Sequence, residues 1–307
     1  MQVLKFGGSS VANADNINRV IDLVKQAIAK DRTILVVSAL GGITDMLIRA
    51  GQAAAAGDES YKEKVQEIEL RHLDTVKALL PITRQSSTLS LVKTRCNEIE
   101  DICSGIFLLG ELSARTQDKI VSYGELLSSL IVSARLTSLE IPHQWKDSRE
   151  LIRTDSRFGY AAVDFSTTNR QIFDYMKDAA TTQLFVLPGF VASDEKGITT
   201  TLGRGGSDYT SAILAAAVDA NILEIWTDVS GMMTADPRLV SNVKLIPHIS
   251  YQEAMELSHF GAKVIYPPTI QPVMRKNIPV WIKNTFAPAD PGTVIAPEAA
   301  HNGGSIR

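Results

Sequence analysis

Short β-branched and apolar runs alternate with stretches of helical periodicity along almost the whole chain, and this alternation constrains the fold more than anything else in the sequence. Runs at residues 3–6, 33–37, 183–187, 222–227 and 280–283 are too short for helices and read as buried strands. Helical patterns cover about 15–30, 43–56, 125–138, 168–180, 207–220 and 251–258. Strands that alternate with helices predict βαβ units, and so an α/β fold with a mainly parallel central sheet covered on both faces. Residues 59–109 stay helical apart from a break near Pro81, which reads as a long helical insertion and not a second domain. The turn signal Asp194-Glu-Lys-Gly197, inside the extended stretch 189–203, predicts a β-hairpin. From Pro288 onward turn formers accumulate, so residues 294–307 read as a hinge, with 297–307 as linker.

Composition narrows the class of function. The 307 residues carry a net charge of −3 and no basic block, which argues against a nucleic-acid or membrane surface. No apolar run approaches the roughly 20 residues that span a bilayer. The first residues form a short strand running into glycines, unlike a signal peptide, so a cytoplasmic location is expected. Cys96 and Cys103 stand in a helical stretch without nearby histidines and read as reduced core thiols, so no protein metal site is expected.

Glycines and hydroxyls cluster where strands give way to helices. Thr201-Leu-Gly-Arg-Gly-Gly-Ser-Asp208 opens directly into an Ala-rich helix, whose free N–H groups and dipole favour an anion. Arg204 in that turn is suited to a carboxylate or phosphate. Lys5-Phe6-Gly7-Gly8-Ser9 could set an ammonium and bare N–H groups beside phosphates, or be an exposed lysine before a tight turn. It is neither a P-loop nor a dinucleotide-binding turn, because the lysine precedes the glycines. Ser38 begins a similar turn that ends at Thr44, which reads first as a helix N-cap. Gly124-Glu125 reads as a helix start, where Glu125 either complements the dipole or binds an ammonium. Trp226-Thr227-Asp228-Val229 and Asp236-Pro237-Arg238 suggest a nucleotide pocket, although Asp236-Pro237 could be only a turn. Lys263, near a further helix start, is either a ligand or a solvated surface residue.

Taken in order, these segments resemble the aspartokinases of the amino-acid kinase family. The matching motifs are Lys5-Phe-Gly-Gly-Ser9, Val37-Ser-Ala39, Gly42-Ile-Thr44, Gly124-Glu125 and Arg153-Thr-Asp-Ser-Arg-Phe-Gly159. They continue through Gly203-Arg-Gly-Gly-Ser-Asp208, Trp226-Thr-Asp-Val229, Asp236-Pro-Arg238 and Phe260-Gly-Ala-Lys-Val264. Ser250-Tyr-Gln-Glu-Ala-Met-Glu-Leu-Ser258 is most similar to the kinase portion of bifunctional aspartokinase–homoserine dehydrogenases.

The resemblance implies a three-layer αβα sandwich, with an aspartate lobe over about 1–220 and an ATP lobe over about 221–296. A linker would lead from there to a C-terminal regulatory domain that this sequence does not contain. The implied reaction moves the ATP γ-phosphoryl group to the β-carboxylate of L-aspartate, with Mg²⁺, as the first step of lysine, threonine and methionine biosynthesis. Ser38, Thr44, Glu125, Arg204 and Ser207 would hold aspartate. Lys5, Phe6, Gly7, Gly8, Thr227, Asp228, Met233, Arg238 and Lys263 would serve ATP, with Lys5 and Asp208 at the reacting centre. The full-length protein would be a homo-oligomer. A carboxylate with an ordinary pKa near ~3.9 is already ionised at neutral pH, so this chemistry needs alignment and charge neutralisation and no general base. Met233 stands where many relatives have tyrosine, and Tyr266 where they often have histidine. Another amino-acid kinase, or a silent ligand-binding module, are the competing expectations.

Overall fold

The computed structural model describes residues 1–235, 239–240, 242–259 and 265–297. The chain begins with β1 (Gln2–Phe6), α1 (Ala14–Ile28), β2 (Thr33–Val37) and α2 (Ile43–Ala55). Three long helices follow, α3 (Tyr61–Leu79), α4 (Ser86–Leu109) and α5 (Ala114–Ser138). Next come β3 (Gln144–Trp145), β4 (Arg153–Thr154), α6 (Phe165–Asp178), β5 (Leu184–Pro188), β6 (Val191–Asp194) and β7 (Thr199–Thr201). The remainder holds α7 (Gly206–Ala217), β8 (Ile222–Thr227), β9 (His248–Ser250), α8 (Tyr251–His259), α9 (Gln271–Arg275), β10 (Val280–Asn284) and β11 (Thr293–Ala296).

Eight strands form one sheet in the order β3-β5-β2-β1-β8-β10-β11-β9, and β4, β6 and β7 form a small second sheet. Every pairing from β3 to β10 is parallel, and β11 runs antiparallel to β10. Every residue of β1, β2 and β5 is buried, as expected of strands covered on both faces. Side-chain alternation divides the core in two. Leu4 and Phe6 of β1, with Leu35 and Val37 of β2, pack toward α1–α5. Val3, Ile34 and Val36 pack on the opposite face among residues of α6, α7 and α9. Helix α1 shows the matching logic: Asn13 caps it through Asn16 N, and Ile17, Val20, Ile21 and Val24 line its inner face at helical spacing. Full burial of each such side chain contributes about 1.5–3 kcal/mol.

The inserted helices α3 and α4 share one continuous apolar cluster with the sheet, so they extend one face of the same core. The hairpin forms at its predicted turn, where Asp194 Oδ1 accepts from Lys196 N and Ile198 N. Two boundaries differ from the sequence reading. Helix α5 begins at Ala114, ahead of Gly124, and Ser113 caps it. The stretch read as a hinge from 294 is in part β11, a sheet strand paired with both β10 and β9. Among the described residues no helix is long and apolar enough to cross a membrane.

The chain leaves β1 toward β2 on one side and continues from β8 toward β10 on the other. The β1–β8 seam is therefore a topological switch point, where the carboxyl ends of parallel strands leave a crevice.

Candidate active site

A cavity of about 260 Å³ opens at that carboxyl edge, lined by Lys5, Ser38, Thr44, Glu125, Phe190, Gly203, Gly205, Gly206, Ser207 and Asp208. Lys5 is the penultimate residue of β1 and shares the face of Val3, which turns its side chain toward α7. Its Nζ lies 2.6 Å from Asp208 Oδ1 in the first turn of α7. Both side chains are largely shielded from solvent, so this ion pair is stronger than a surface one. The turn before α7 depends on Gly203 and Gly205, whose φ angles of 72° and 70° lie in the left-handed region. It sets Ser207 and Asp208 at the helix N-terminus, facing the cavity.

Glu125 reaches the cavity from within α5, about three turns beyond its start. The reading of Glu125 as a complement to the dipole of its own helix start is therefore corrected, because that start lies about three turns away. Gly124 makes its placement possible, since a Cβ there would stand 2.9 Å from Ala39 Cβ. Burial pushes the Glu125 carboxyl up to about 8, while the Ala39 N–H and Lys5 pull the other way. Its Oε2 is buried and has no hydrogen-bond partner among the described residues. The site thus holds a carboxylate poorly supplied with positive charge in its own fold, suited to an incoming cation.

Ser38 and Thr44 line the same wall. Ser38 N donates to Phe6 O at 3.1 Å, and Ser38 O accepts from Ser128 Oγ at 2.6 Å. Thr44 is not the N-cap of α2, a position that Gly42 fills with φ 82°. Its hydroxyl makes no bond to another described residue, and it faces the cavity. Arg204 lies outside the lining: it is exposed, with its guanidinium 5.5 Å over the Tyr266 ring. It stands at the lip of the turn.

The expected nucleotide residues are more scattered. Gly7 continues β1 by donating to Trp226 O at 3.1 Å, and Gly8 follows beside it. The Phe6 ring is corrected from ligand to scaffold, because it is fully buried and stacked on Trp226 at 5.7 Å. Thr227 ends β8 and bonds the exposed Asp228 through its hydroxyl at 3.1 Å. Met233 is half-buried in an isolated bridge to Leu245. Thr227, Asp228 and Met233 do not line the 260 Å³ cavity. Arg238 and Lys263 lie outside the described residues, as does Asp236. Among the described residues no cluster of three or more His, Cys, Asp or Glu side chains is placed to cage a metal ion.

Sequence reasoning missed Phe190. It lines the cavity with φ 66°, unusual for a bulky residue, and its N–H donates to Thr210 Oγ1 at 2.9 Å. The signal available was Gly189 directly after β5, another glycine at the carboxyl end of a strand, read only as the start of the hairpin.

The pattern of the amino acid kinase family matches residues 1–284. Lysine-sensitive aspartokinase 3 of Escherichia coli (strain K12) is 36% identical over 299 residues, covering 95% of this chain and 63% of its own length. The chloroplastic bifunctional aspartokinase/homoserine dehydrogenase 1 of Zea mays is 34% identical over 305 residues, 99% of this chain and 33% of its own length. The solved structure of E. coli aspartokinase III in complex with aspartate and ADP (R-state) superposes with a TM-score of 0.89 at 34% identity, covering 98% of this chain and 65% of that one. The chain thus spans between a third and two thirds of these relatives, 33% to 65% of their lengths.

Proposed function

The chain belongs to the amino acid kinase family, and from that premise we propose that it transfers the γ-phosphoryl group of ATP to the β-carboxylate of L-aspartate, giving 4-phospho-L-aspartate and ADP. The observation that carries this reading is Glu125, a buried carboxylate with a free oxygen facing the same cavity as the Lys5–Asp208 pair. The substrate ammonium pairs with Glu125 and restores its ionised form. The α-carboxylate meets Ser207 and the N-terminus of α7, with Arg204 closing over it from the lip. Ser38 and Thr44 supply hydroxyls along the wall. Two opposite charges held at fixed separation select an amino acid over a plain dicarboxylate.

The β-carboxylate attacks as an anion, so the protein's task is alignment and neutralisation. Lys5 supplies positive charge where the phosphoryl group crosses, and Asp208 holds the ammonium in place. ATP approaches from the β8 side, past Gly7 and Gly8 toward Thr227, Asp228 and Met233, with Arg238 and Lys263 assigned to the same ligand. An aspartate lobe over about 1–220 and an ATP lobe over about 221–296 then meet at the β1–β8 seam. Bound Mg²⁺ would spread the phosphate charge. Asp208 would help hold such an ion alongside the phosphates and water, since no protein cage for a metal stands among the described residues. The same reading places the protein in the cytoplasm, at the entry to lysine, threonine and methionine biosynthesis, and as a homo-oligomer within a longer chain.

The test is hydroxylamine trapping of the acyl phosphate from the purified chain with ATP, Mg²⁺ and either L-aspartate or L-glutamate. Aspartyl hydroxamate should form well ahead of the glutamyl product. Lys5→Ala should lower kcat on the order of 10²–10³-fold, as loss of a transition-state charge contact does. Equal rates on both amino acids, or unchanged turnover in both Lys5→Ala and Arg204→Ala, would overturn the assignment.

A further inference from the structure

Two turns before Glu125, α5 carries a second buried carboxylate, Asp118, 2% exposed. The bonds it accepts come from Gly159 and Thr201, which do not line the cavity themselves but pack against or lead into the Gly203–Asp208 turn that does. Gly159 N donates to both of its oxygens at 3.0 Å. Thr201 N reaches Oδ2 at 2.9 Å, and Thr201 Oγ1 donates to Oδ1 at 2.8 Å. Thr201 ends β7, two residues before Gly203 opens the turn to Asp208. The Gly159 loop is pressed on that turn as well: a Cβ on Gly203 would lie 3.1 Å from both Gly159 O and Tyr160 Cβ. Ala161 N closes the arrangement by donating to Thr201 O at 2.9 Å.

Burying a carboxylate without a cationic partner is costly, and burial does raise the Asp118 pKa against the pull of its three donors. Packing α5 on a hairpin does not by itself require such a group. A carboxylate does one thing an apolar residue or an amide cannot: it accepts on both oxygens from donors belonging to two different segments. Asp118 thereby ties the helix that carries Glu125 to the turn that carries Arg204, Ser207 and Asp208.

We propose that Asp118 is a positioning residue that fixes the separation between Glu125 and the Gly203–Asp208 turn, and through it the length of amino-acid substrate the cavity accepts. The inference rests on the functional reading above. Its effect appears in amino-acid recognition and not in nucleotide binding, because the segments it joins lie on the α5–α7 side of the seam.

The experiment compares wild type with Asp118→Ala, Asp118→Asn and Thr201→Val in steady-state kinetics on L-aspartate, L-glutamate and ATP, and in calorimetric titration with L-aspartate. Asp118→Ala should raise the aspartate KM on the order of tenfold, leave the ATP KM within about twofold, and narrow the preference for aspartate over glutamate. Asp118→Asn keeps a single acceptor oxygen and so only part of the set that joins the two segments, and it should recover only part of that loss. Thr201→Val removes one bond of the set and should raise the aspartate KM about threefold. If Asp118→Ala fails to fold, the other two variants carry the test. Folded variants with lower melting temperatures but unchanged aspartate KM and unchanged selectivity would reduce Asp118 to a structural residue and overturn the proposal. A wild type that binds no L-aspartate would sink the functional reading instead, a result distinct from variants that match an active wild type.

Discussion

The cavity at the carboxyl edge of the sheet and the helical layer of α3 and α4 can be compared through one buried ionisable side chain in each that has an atom with no hydrogen-bond partner among the described residues. In the cavity it is Glu125 Oε2, and in the helical layer it is His72 Nε2. Burial acts on both by disfavouring the charged form, holding Glu125 up to about 8 and His72 down to about 4. Their surroundings differ. Glu125 faces an open space shared with Lys5, Ser38, Thr44, Ser207 and Asp208. His72 bonds only the Ile68 carbonyl one turn back, at 2.7 Å, on a helix that buries Ile68, Leu73 and Val76 beside it. Desolvation with a missing partner therefore does not mark a site by itself. A site needs the second condition, convergence of other polar groups on the same accessible volume.

The largest effect that separates the two belongs to Glu125→Gln. If Glu125 holds the substrate ammonium, the amide should weaken L-aspartate binding on the order of 30–100-fold in calorimetry, the usual consequence of removing one partner of a buried charge pair. Stability should move the other way. The folded-state pKa near 8 lies above the unfolded value near 4.5, so the native state binds more protons between them. Wild-type stability then falls as pH rises through that window, by a total on the order of 5 kcal/mol. The Gln variant lacks this slope and should melt no lower than wild type at pH 8. Unchanged aspartate affinity together with a lower melting temperature would place Glu125 in the same class as His72.

His72→Leu probes the other side of the comparison with a smaller effect. Here the folded pKa near 4 lies below the unfolded value of 6.5, so stability is lost as pH falls between them, about 3 kcal/mol in all. Between pH 4.5 and 6.5 the His72 and Glu125 slopes oppose each other and nearly cancel in wild type. Removing His72 should leave the Glu125 slope exposed, so that urea midpoints decline from pH 4.5 to 6.5 while aspartate and ATP KM values stay within about twofold. A changed aspartate KM would give the helical layer a part in substrate binding that its geometry does not suggest.

What the sequence reveals follows the same division between local signal and tertiary context. The five long strands and the helices α1, α2, α6, α7 and α8 announce themselves through β-branched runs and apolar periodicity. The first turns of α5 do not, because that helix buries Asp118, Ser122, Ser128 and Ser129 along with its apolar residues and so blurs the period. The two- and three-residue strands β3, β4 and β9 owe their conformation to their partners and carry no pattern of their own. β11 is hidden by the turn formers directly before it. At the cavity, glycine and hydroxyl clusters at strand ends marked the segments of Lys5, Ser38, Ser207 and Asp208, whereas Thr44 read first as a helix N-cap and joined the substrate residues only through the family resemblance. The Lys5–Asp208 pairing, the left-handed Phe190 and the depth of Glu125 within α5 arise only from the packing of distant segments.

The smallest effect tests how far the character of the cavity extends along α5. Ser128 lies one turn beyond Glu125 and donates to the Ser38 carbonyl at 2.6 Å, with a second contact to Glu125 O at 3.1 Å. It touches the wall of the cavity from behind and does not line it. Ser128→Ala leaves the Ser38 carbonyl short of a donor in a buried setting, which costs about 1–2 kcal/mol of stability. If Ser38 contributes only its hydroxyl to the substrate, its position is held chiefly by Ser38 N bonding Phe6 O, and the aspartate KM should rise no more than about threefold. A rise of tenfold or more, measured beside an unchanged ATP KM, would extend the substrate-recognising surface one turn further along the helix. Glu125 would then be one of several α5 residues held in register for the amino acid. A loss of stability without any KM change would confine that surface to side chains facing the cavity and leave Ser128 on the same side of the comparison as His72.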